Sequence, residues 1–425
     1  MAHSWFMVQS RSGRRADDGA AAPKDWPETI IGRKYVRMIQ DFARTLRPVD
    51  AHGNRTAFLD DVFIVYLLAF FNPLIRSLRT LDDFSQCRQA QAHISVPRLP
   101  RSTLSDLNQV ADPDLLLPLL RKLQAELPAA AMPDDLAVLL KMVIATDGSF
   151  FAVAADAVWA VLHRDNDGKV RKSARLDCQL NVATGLPEII DICGAGTSEP
   201  ASARKNIIPG AVYVDDRGYF DFQLMKDYRA AGSEFVIRMR APGERTPKFV
   251  AESDRPLTEQ ARAAGVISDG IGRLAGSKGR EAPDFPLREV VIASPDEPGG
   301  TIRLLTDILD MGAAIIGILY RYRWQVELFF RWLKVYANFE HLISASLPGI
   351  KLSFYTAMIG IVLMSLHTQT RPSKYAMALM ITAAGGGASL EELAPILARR
   401  TRERELERAR RARKKAAAAE AAKKV

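Results

Sequence analysis

The sequence predicts an α+β fold, and three observations lead to it. A helical region occupies the first third of the chain. From about residue 141, short apolar runs stop at carboxylates and glycines and alternate with helix-like segments. A later segment, Leu319–Tyr336, has no Gly or Pro and is dense in bulky residues, so it predicts one continuous helix.

Taken in order, residues 1–27 mix Arg, Asp, Ala and Pro without an apolar run, which predicts a disordered tail and no signal peptide. Residues 28–140 predict a helical domain, with helices over Ile30–Leu46, Phe58–Phe71 and Leu115–Leu127. Within it, Leu99–Asn108 reads as a helix start with Ser102 or Thr103 as N-cap. Arg101, Ser102 and Thr103 there are either an ordinary cap or a grip for a phosphate, because free N–H groups gather at a helix N-terminus.

Met142–Ser149 is an apolar strand ending in Thr146-Asp147-Gly148, followed by an Ala-rich helix over Phe150–Leu162. Arg175–Val182 and Leu186–Cys193 form a hairpin through Ala183-Thr184-Gly185, and Ser198–Asn206 a short helix. Ala211–Asp215 repeats the strand-to-carboxylate pattern at Asp215-Asp216-Arg217-Gly218-Tyr219. A helix over Phe220–Ala231 and a strand over Glu234–Arg240 follow. Residues 241–300 are rich in Pro, Gly and charge, with a β-like run at Leu287–Ala293, and Thr301–Asp307 returns to the core as a strand or strand edge. Leu352–Leu366 is expected to pack beneath the sheet.

On the helix over 319–336, about 100° per residue puts Tyr320, Arg323, Glu327, Arg331 and Lys334 on one narrow stripe. Val326, Phe329, Trp332 and Leu333 occupy the opposite arc. A charged stripe on a mostly apolar helix needs partners. It is either a paired internal network or an active-site wall, with a carboxylate for metal and cations for phosphate.

The spacing Tyr320-x2-Arg323-x3-Glu327-x6-Lys334, in the context Leu-Tyr-Arg-x-Arg-Trp-Gln-Val-Glu-Leu-Phe-Phe, resembles the Tyr-Arg-Glu-Lys signature of the insertion-sequence DDE transposases called the IS-four family. Asp147-Gly-Ser and Asp216-x-Gly-Tyr resemble that family's two upstream motifs, and the second selects Asp216 over its neighbour Asp215. The resemblance implies a ribonuclease-H-like catalytic core over 141–240 and 301–370, with a β-rich insertion at 241–300. It also implies an N-terminal helical domain, 28–140, that binds the element's ends. Asp147, Asp216 and Glu327 would be the catalytic and metal-holding carboxylates, taking two Mg²⁺ or Mn²⁺ ions. Tyr320, Arg323 and Lys334 would bind DNA phosphate. The implied activity is cleavage at terminal inverted repeats and strand transfer into target DNA by a homodimer. A retired DNA-binding relative and a nuclease of the same fold are the alternatives. The family's insertion carries a tryptophan that holds a flipped base; here Trp5, Trp26, Trp159, Trp324 and Trp332 all lie elsewhere, leaving Phe249 or Phe285 as substitutes.

Composition is compatible with this. With 48% apolar and 25% charged residues over 425 positions, the chain has an ordinary globular balance and length for two or three domains. Cys87, Cys178 and Cys193 lie far apart, which predicts no disulfide framework and a reducing compartment; a cytoplasmic, nucleoid-associated setting is what the resemblance implies. Val62–Phe71 is too short to cross a bilayer, and Leu352–Leu366 is interrupted by Ser353, Tyr355, Thr356 and Gly360, so no membrane span is expected. Of the net charge of +9, +8 resides in Arg399–Val425. The segment 371–425 therefore reads as a basic helical tail, either a solvated helix or an extension adding nonspecific DNA affinity. The six histidines fall outside every motif, and His163 reads as a surface or turn residue.

Overall fold

The computed structural model describes residues 33–49, 56–72, 75–127, 142–153, 160–164, 170–193, 197–240, 247–275, 281–335 apart from 296 and 298, and 343–368, together with scattered helical positions between 379 and 413. The expected N-terminal tail lies outside these residues, as does most of the basic C-terminal segment. The chain divides into two compact units.

The helical unit holds α1 (Arg33–Val49), α2 (Leu59–Phe70), α3 (Leu78–Ser85), α4 (Arg88–Gln91), α5 (Arg101–Val110), a 3-10 turn at Pro113–Leu116, α6 (Leu117–Ala125) and the long α12 (Leu347–Thr368). The apolar α2 is buried along nearly its whole length. Its two acidic residues at the N-terminal end are satisfied locally: Arg47 donates to Asp60 and Asp61, and the Ser95 backbone and hydroxyl donate to Asp61. Two expectations are corrected here. First, α12 packs against α2, α5 and α6, so Leu352–Leu366 groups with this unit rather than with the unit that holds the sheet. Its surface is apolar all round, and such a helix takes whichever apolar neighbours enclose it. Second, α5 starts at Arg101 with Pro100 before it, so neither Ser102 nor Thr103 is the N-cap. Asp82 accepts the Arg101 N–H at 3.1 Å and also pairs with Arg98, so this helix terminus is already supplied with a carboxylate.

The second unit is built on a mixed ten-stranded sheet. Its strands are β1 (Val143–Ala152), β2 (Val161–Arg164), β3 (Val170–Asn181), β4 (Leu186–Cys193), β5 (Val212–Asp215), β6 (Glu234–Arg238), β7 (Phe249–Asp254), β8 (Val266–Leu274), β9 (Leu287–Ala293) and β10 (Thr301–Thr306). The order runs β2-β3-β1-β5-β6-β10-β9-β8-β7, with β4 paired to β3. Strands β1, β5 and β6 are parallel; every other pairing is antiparallel. The helices are α7 (Glu199–Lys205), α8 (Phe222–Ala230), α9 (Glu259–Ala263), α10 (Ala313–Tyr322) and α11 (Trp324–Val335). Tyr213, Tyr228, Phe235, Leu224 and Ile144 centre a core between the sheet and α8, with Tyr213 stacked on Tyr228 at 4.1 Å.

The hairpin, the short helix capped by Ser198, the strands at 212–215 and 234–238 and the runs at 287–293 and 301–306 fall where the sequence predicts them. The helix expected over Phe150–Leu162 does not form in the described residues. Instead β1 continues to Ala152, still paired with β3, and Val161–Arg164 is a strand. The bulky Phe150 and Phe151 favour an extended, half-buried surface over an isolated helix. The β-rich stretch 241–300 adds β7, β8 and β9 as an antiparallel meander on β10, extending the same sheet. Strand β7 ends the order and is exposed along almost its whole length.

The loop from β10 into α10 is stapled from beneath. Arg288, 1% exposed, makes a double hydrogen bond to Asp269 at 2.7 and 2.8 Å and also donates to the carbonyls of Ile308 and Met311. Asp307 accepts the Phe235 N–H at 2.9 Å. These contacts set where α10, the helix carrying Tyr320, begins.

The predicted single helix 319–336 is two helices. Arg323 ends α10, and tight backbone bonds run from Arg323 N–H to Tyr320 and from Val326 N–H to Arg323. No Gly or Pro marks this break. Local propensity is a weak prior that tertiary contacts override, and the Arg323 side chain is buried, 8% exposed, among the groups described next.

Candidate active site

The parallel pairing of β1 with β5 ends at Thr146 opposite Asp215. Asp147 and Asp216 come one residue later, where the parallel pairing stops while β1 runs on to Ala152 beside β3, and such a divergence of strands opens a crevice in an α/β sheet. Successive side chains on a strand point to opposite faces. Asp215 accordingly faces the α8 side, fully buried, and accepts a hydrogen bond from the Tyr228 hydroxyl at 3.0 Å. Asp216 faces the other way and accepts from the Tyr320 hydroxyl at 3.3 Å, with Arg238 on β6 at 4.0 Å.

Asp147 and Asp216 line one cleft of about 430 Å³ together with Glu199, Arg217, Gly218, Tyr219 and Arg240. Glu327 is not part of that lining. It sits in the first turn of α11 and accepts from Arg323 Nη2 at 2.5 Å. Its charge nevertheless reaches Asp147. Burial pushes the Asp147 carboxyl up to about 7; Arg323 and the Gly148 N–H draw it down, while Glu327 and Glu199 raise it further. Helix α11 lies along β1, with Phe330 against Phe151 and Lys334 Nζ 5.0 Å above the Phe151 ring. Burial opposes the charge of Arg323, but Tyr320, Asp216 and Glu327 more than restore it. Its guanidinium also lies 5.7 Å from the Tyr320 ring.

Five of the six predicted residues, Asp147, Asp216, Glu327, Tyr320 and Arg323, are thus brought into one electrostatic neighbourhood. Lys334 is carried further along α11 to Phe151. Three groups were missed by sequence reasoning. Glu199 opens α7 within Ser198-Glu199-Pro200, which signals only a helix start. Arg238 and Arg240 lie at the end of β6, beside the end of β5, and nothing local marks them. Phe249 and Phe285, the suggested aromatic substitutes, pack against the central core, and Arg229 covers the Phe285 ring at 5.2 Å.

The donor set consists of carboxylates alone, which suits hard divalent ions such as Mg²⁺ and Mn²⁺. Among the described residues, no three Asp, Glu, His or Cys side chains lie close enough together to hold an ion as they stand. Glu327 is engaged by Arg323 through Oε1. A desolvated carboxylate with a raised pKa beside two further acidic groups is short of positive charge, and on that ground the residues fit a cation.

The family model of the transposase DDE domain matches residues 139–363, more than half of the chain. The chain belongs to the transposase DDE domain family. Within that family it is similar to the putative transposase y4zB of Sinorhizobium fredii, 31% identical over 202 residues that cover 47% of this chain and 55% of the relative. It is also similar to the probable transposase for insertion sequence element IS5377 of Geobacillus stearothermophilus, 28% identical over 161 residues, 38% of this chain and 40% of the relative. The match therefore spans about half the length of these curated relatives. Among solved structures, a piggyBac transposase in a synaptic complex with hairpin DNA covers 89% of this DDE-domain chain, and 82% of its own chain is matched. The TM-score is 0.41 with 11% identity. No described helix of the DDE-domain chain is long and apolar enough to cross a membrane.

Proposed function

We propose that this chain is a DDE transposase of the IS-four type, cutting DNA at terminal inverted repeats and joining the liberated ends to target DNA. The observation that carries the proposal is the placement of Asp147 and Asp216 one residue past the last parallel pair, with Glu327 electrostatically coupled to Asp147. The strand order β4-β3-β1-β5-β6, antiparallel and then parallel, with helices before and after β5, supports a ribonuclease-H-like core.

Asp147, Asp216 and Glu327 would hold two Mg²⁺ or Mn²⁺ ions. When bound, such a pair supplies charge stabilisation to the attacking and leaving oxygens of an in-line phosphodiester displacement. Tyr320 orients the Asp216 carboxylate through its hydroxyl. Arg323, once Glu327 turns to the ions, presents its guanidinium to a phosphate at the scissile position, for which its planar fork is suited. Arg217 and Arg240 at the cleft, and Lys334 further along α11, add positive charge along the path of a DNA strand. The helical unit would bind the terminal repeats, the basic C-terminal segment would add salt-sensitive affinity, and a homodimer would bring two ends together. A cytoplasmic, nucleoid-associated location accords with a DNA substrate.

The test is incubation of the purified chain with Mg²⁺ and labelled DNA bearing the repeats that flank its gene. Cleaved and joined products are expected, with Glu327→Ala losing both while still shifting the DNA in a gel. Binding without cleavage would mark a retired binder. Cleavage without joining would mark a nuclease.

A further inference from the structure

The carboxylate of Glu199 is held between two glycines. A Cβ built on Gly148 would lie 3.4 Å from Glu199 Oε1 and 2.7 Å from Asp177 Oδ1, and one built on Gly218 would overlap Glu199 Oε2. Gly148 directly follows Asp147, and Gly218 stands two residues after Asp216. The side chain of Glu199 thus fills the space over Gly218 and, beside Asp177, that over Gly148, and it emerges in the cleft that Asp147 and Asp216 line.

The route is built. Ser198 caps α7 by accepting the Ala201 N–H at 3.3 Å, which sets Glu199 at the first helical position. On β3, Asp177 sits opposite Gly148 in the ladder and is locked by a double hydrogen bond from Arg175 at 2.7 and 2.9 Å. Held by that pair, Asp177 Oδ1 covers Gly148, and Glu199 Oε1 lies beside it over the same glycine. Burying a carboxylate beside other carboxylates is unfavourable unless a cation repays it. Arg175 offsets part of that cost for Glu199, and the cations of the cleft, Arg217 and Arg240, are exposed side chains at its rim.

We propose that Glu199 is a fourth carboxylate of this active site, holding the water shell of a divalent ion bound at Asp147 and Asp216. Magnesium keeps several of its waters when proteins bind it, so an acceptor set back behind two glycines is well placed to hold them. The small residues in Asp147-Gly148-Ser149 and Asp216-Arg217-Gly218-Tyr219 then have a stated purpose, to admit the fourth acid. This inference rests on the transposase reading above.

Mn²⁺ is the probe, titrated calorimetrically into the full-length chain, with the Mg²⁺ concentration for half-maximal DNA cleavage as a second readout. Glu199→Gln keeps the shape and removes the charge. Gly218→Ala keeps the charge and displaces the carboxylate. Both are expected to weaken Mn²⁺ binding and raise the Mg²⁺ requirement by roughly tenfold or more, the usual range for groups that orient metal ligands, with thermal stability retained. Wild-type Mn²⁺ affinity and Mg²⁺ requirement in Glu199→Gln would overturn the role of Glu199. Asp147→Asn separates the two levels: if it loses Mn²⁺ and cleavage while Glu199→Gln is unaffected, the transposase reading stands and only this inference fails. If the wild-type chain takes up no Mn²⁺ and cuts no DNA, both fall.

Discussion

Asp215 and Asp216 are consecutive in the chain and face opposite sides of the sheet, the first under Tyr228 and the second under Tyr320. Adjacent carboxylates separated by the pleat are expected to differ in kind. Asp216→Asn should reduce DNA cleavage at least a thousandfold, on the order expected for loss of a group that anchors charge stabilisation at the reacting oxygens. Asp215→Asn should cut within about tenfold of wild type, because an amide still accepts the Tyr228 hydrogen bond. Equal loss in both variants would place Asp215 in the chemistry.

Tyr320→Phe tests the positioning of Asp216 by itself. The ring stays packed against Arg323, and only the hydroxyl is removed. Stability should change by no more than about 1 kcal/mol, the net worth of one ordinary hydrogen bond. The cleavage rate should fall roughly tenfold if orientation of the carboxylate matters. An unchanged rate under single-turnover conditions would reduce Tyr320 to packing.

The staple under α10 predicts a stability effect far from the cleft. Asp269→Ala leaves the guanidinium of Arg288 buried without its carboxylate, and such a loss costs about 3–5 kcal/mol. Glu252→Ala removes a pair with Arg273 whose partners are half exposed, and should cost no more than about 1 kcal/mol. Urea unfolding of the two variants beside wild type checks the contrast.

Asp82 links a salt bridge to a helix start and yields a pH prediction. Its carboxyl is held below the usual range chiefly by the hydrogen bond from Arg98, helped by the Arg101 N–H. A lowered folded pKa means that the stabilisation is present above the unfolded value near 3.8 and is lost as pH falls through the lower folded one. Asp82→Asn should therefore melt several degrees below wild type at neutral pH, and the gap should close in strong acid. A gap that persists unchanged at low pH would assign the effect to packing.

The parts of this architecture that announce themselves in the sequence are those set by neighbours in the chain. Apolar runs stopping at Asp-Gly or Asp-x-Gly locate where β1 and β5 stop pairing, although β1 itself runs on to Ala152, and the period of two implies that only one of Asp215 and Asp216 can face the cleft. What stays hidden depends on distant partners. Ser198-Glu199-Pro200 looks like any capped helix start, and nothing near Glu199 says that two glycines will make room for it. The break at Arg323 has no breaker residue, because the contacts that bend the chain come from Glu327, Asp216 and Tyr320. The apolar α12 carries no directional pattern, so its place among α2, α5 and α6 is not encoded in its own periodicity. Phe150 and Phe151 were masked by the alanines that follow them.

Beyond Phe249, strand β7 closes the sheet with its side chains in solvent, Val250 at 48% exposure among them. An open row of amides and carbonyls can template pairing with another molecule. Here Glu252, paired with Arg273 on β8, and Asp254 stand on that border, so edge-to-edge pairing of two copies would have to bury these two acids. Concentrated protein should consequently resist ribbon-like self-association at neutral pH and lose that resistance once the two acids are neutralised.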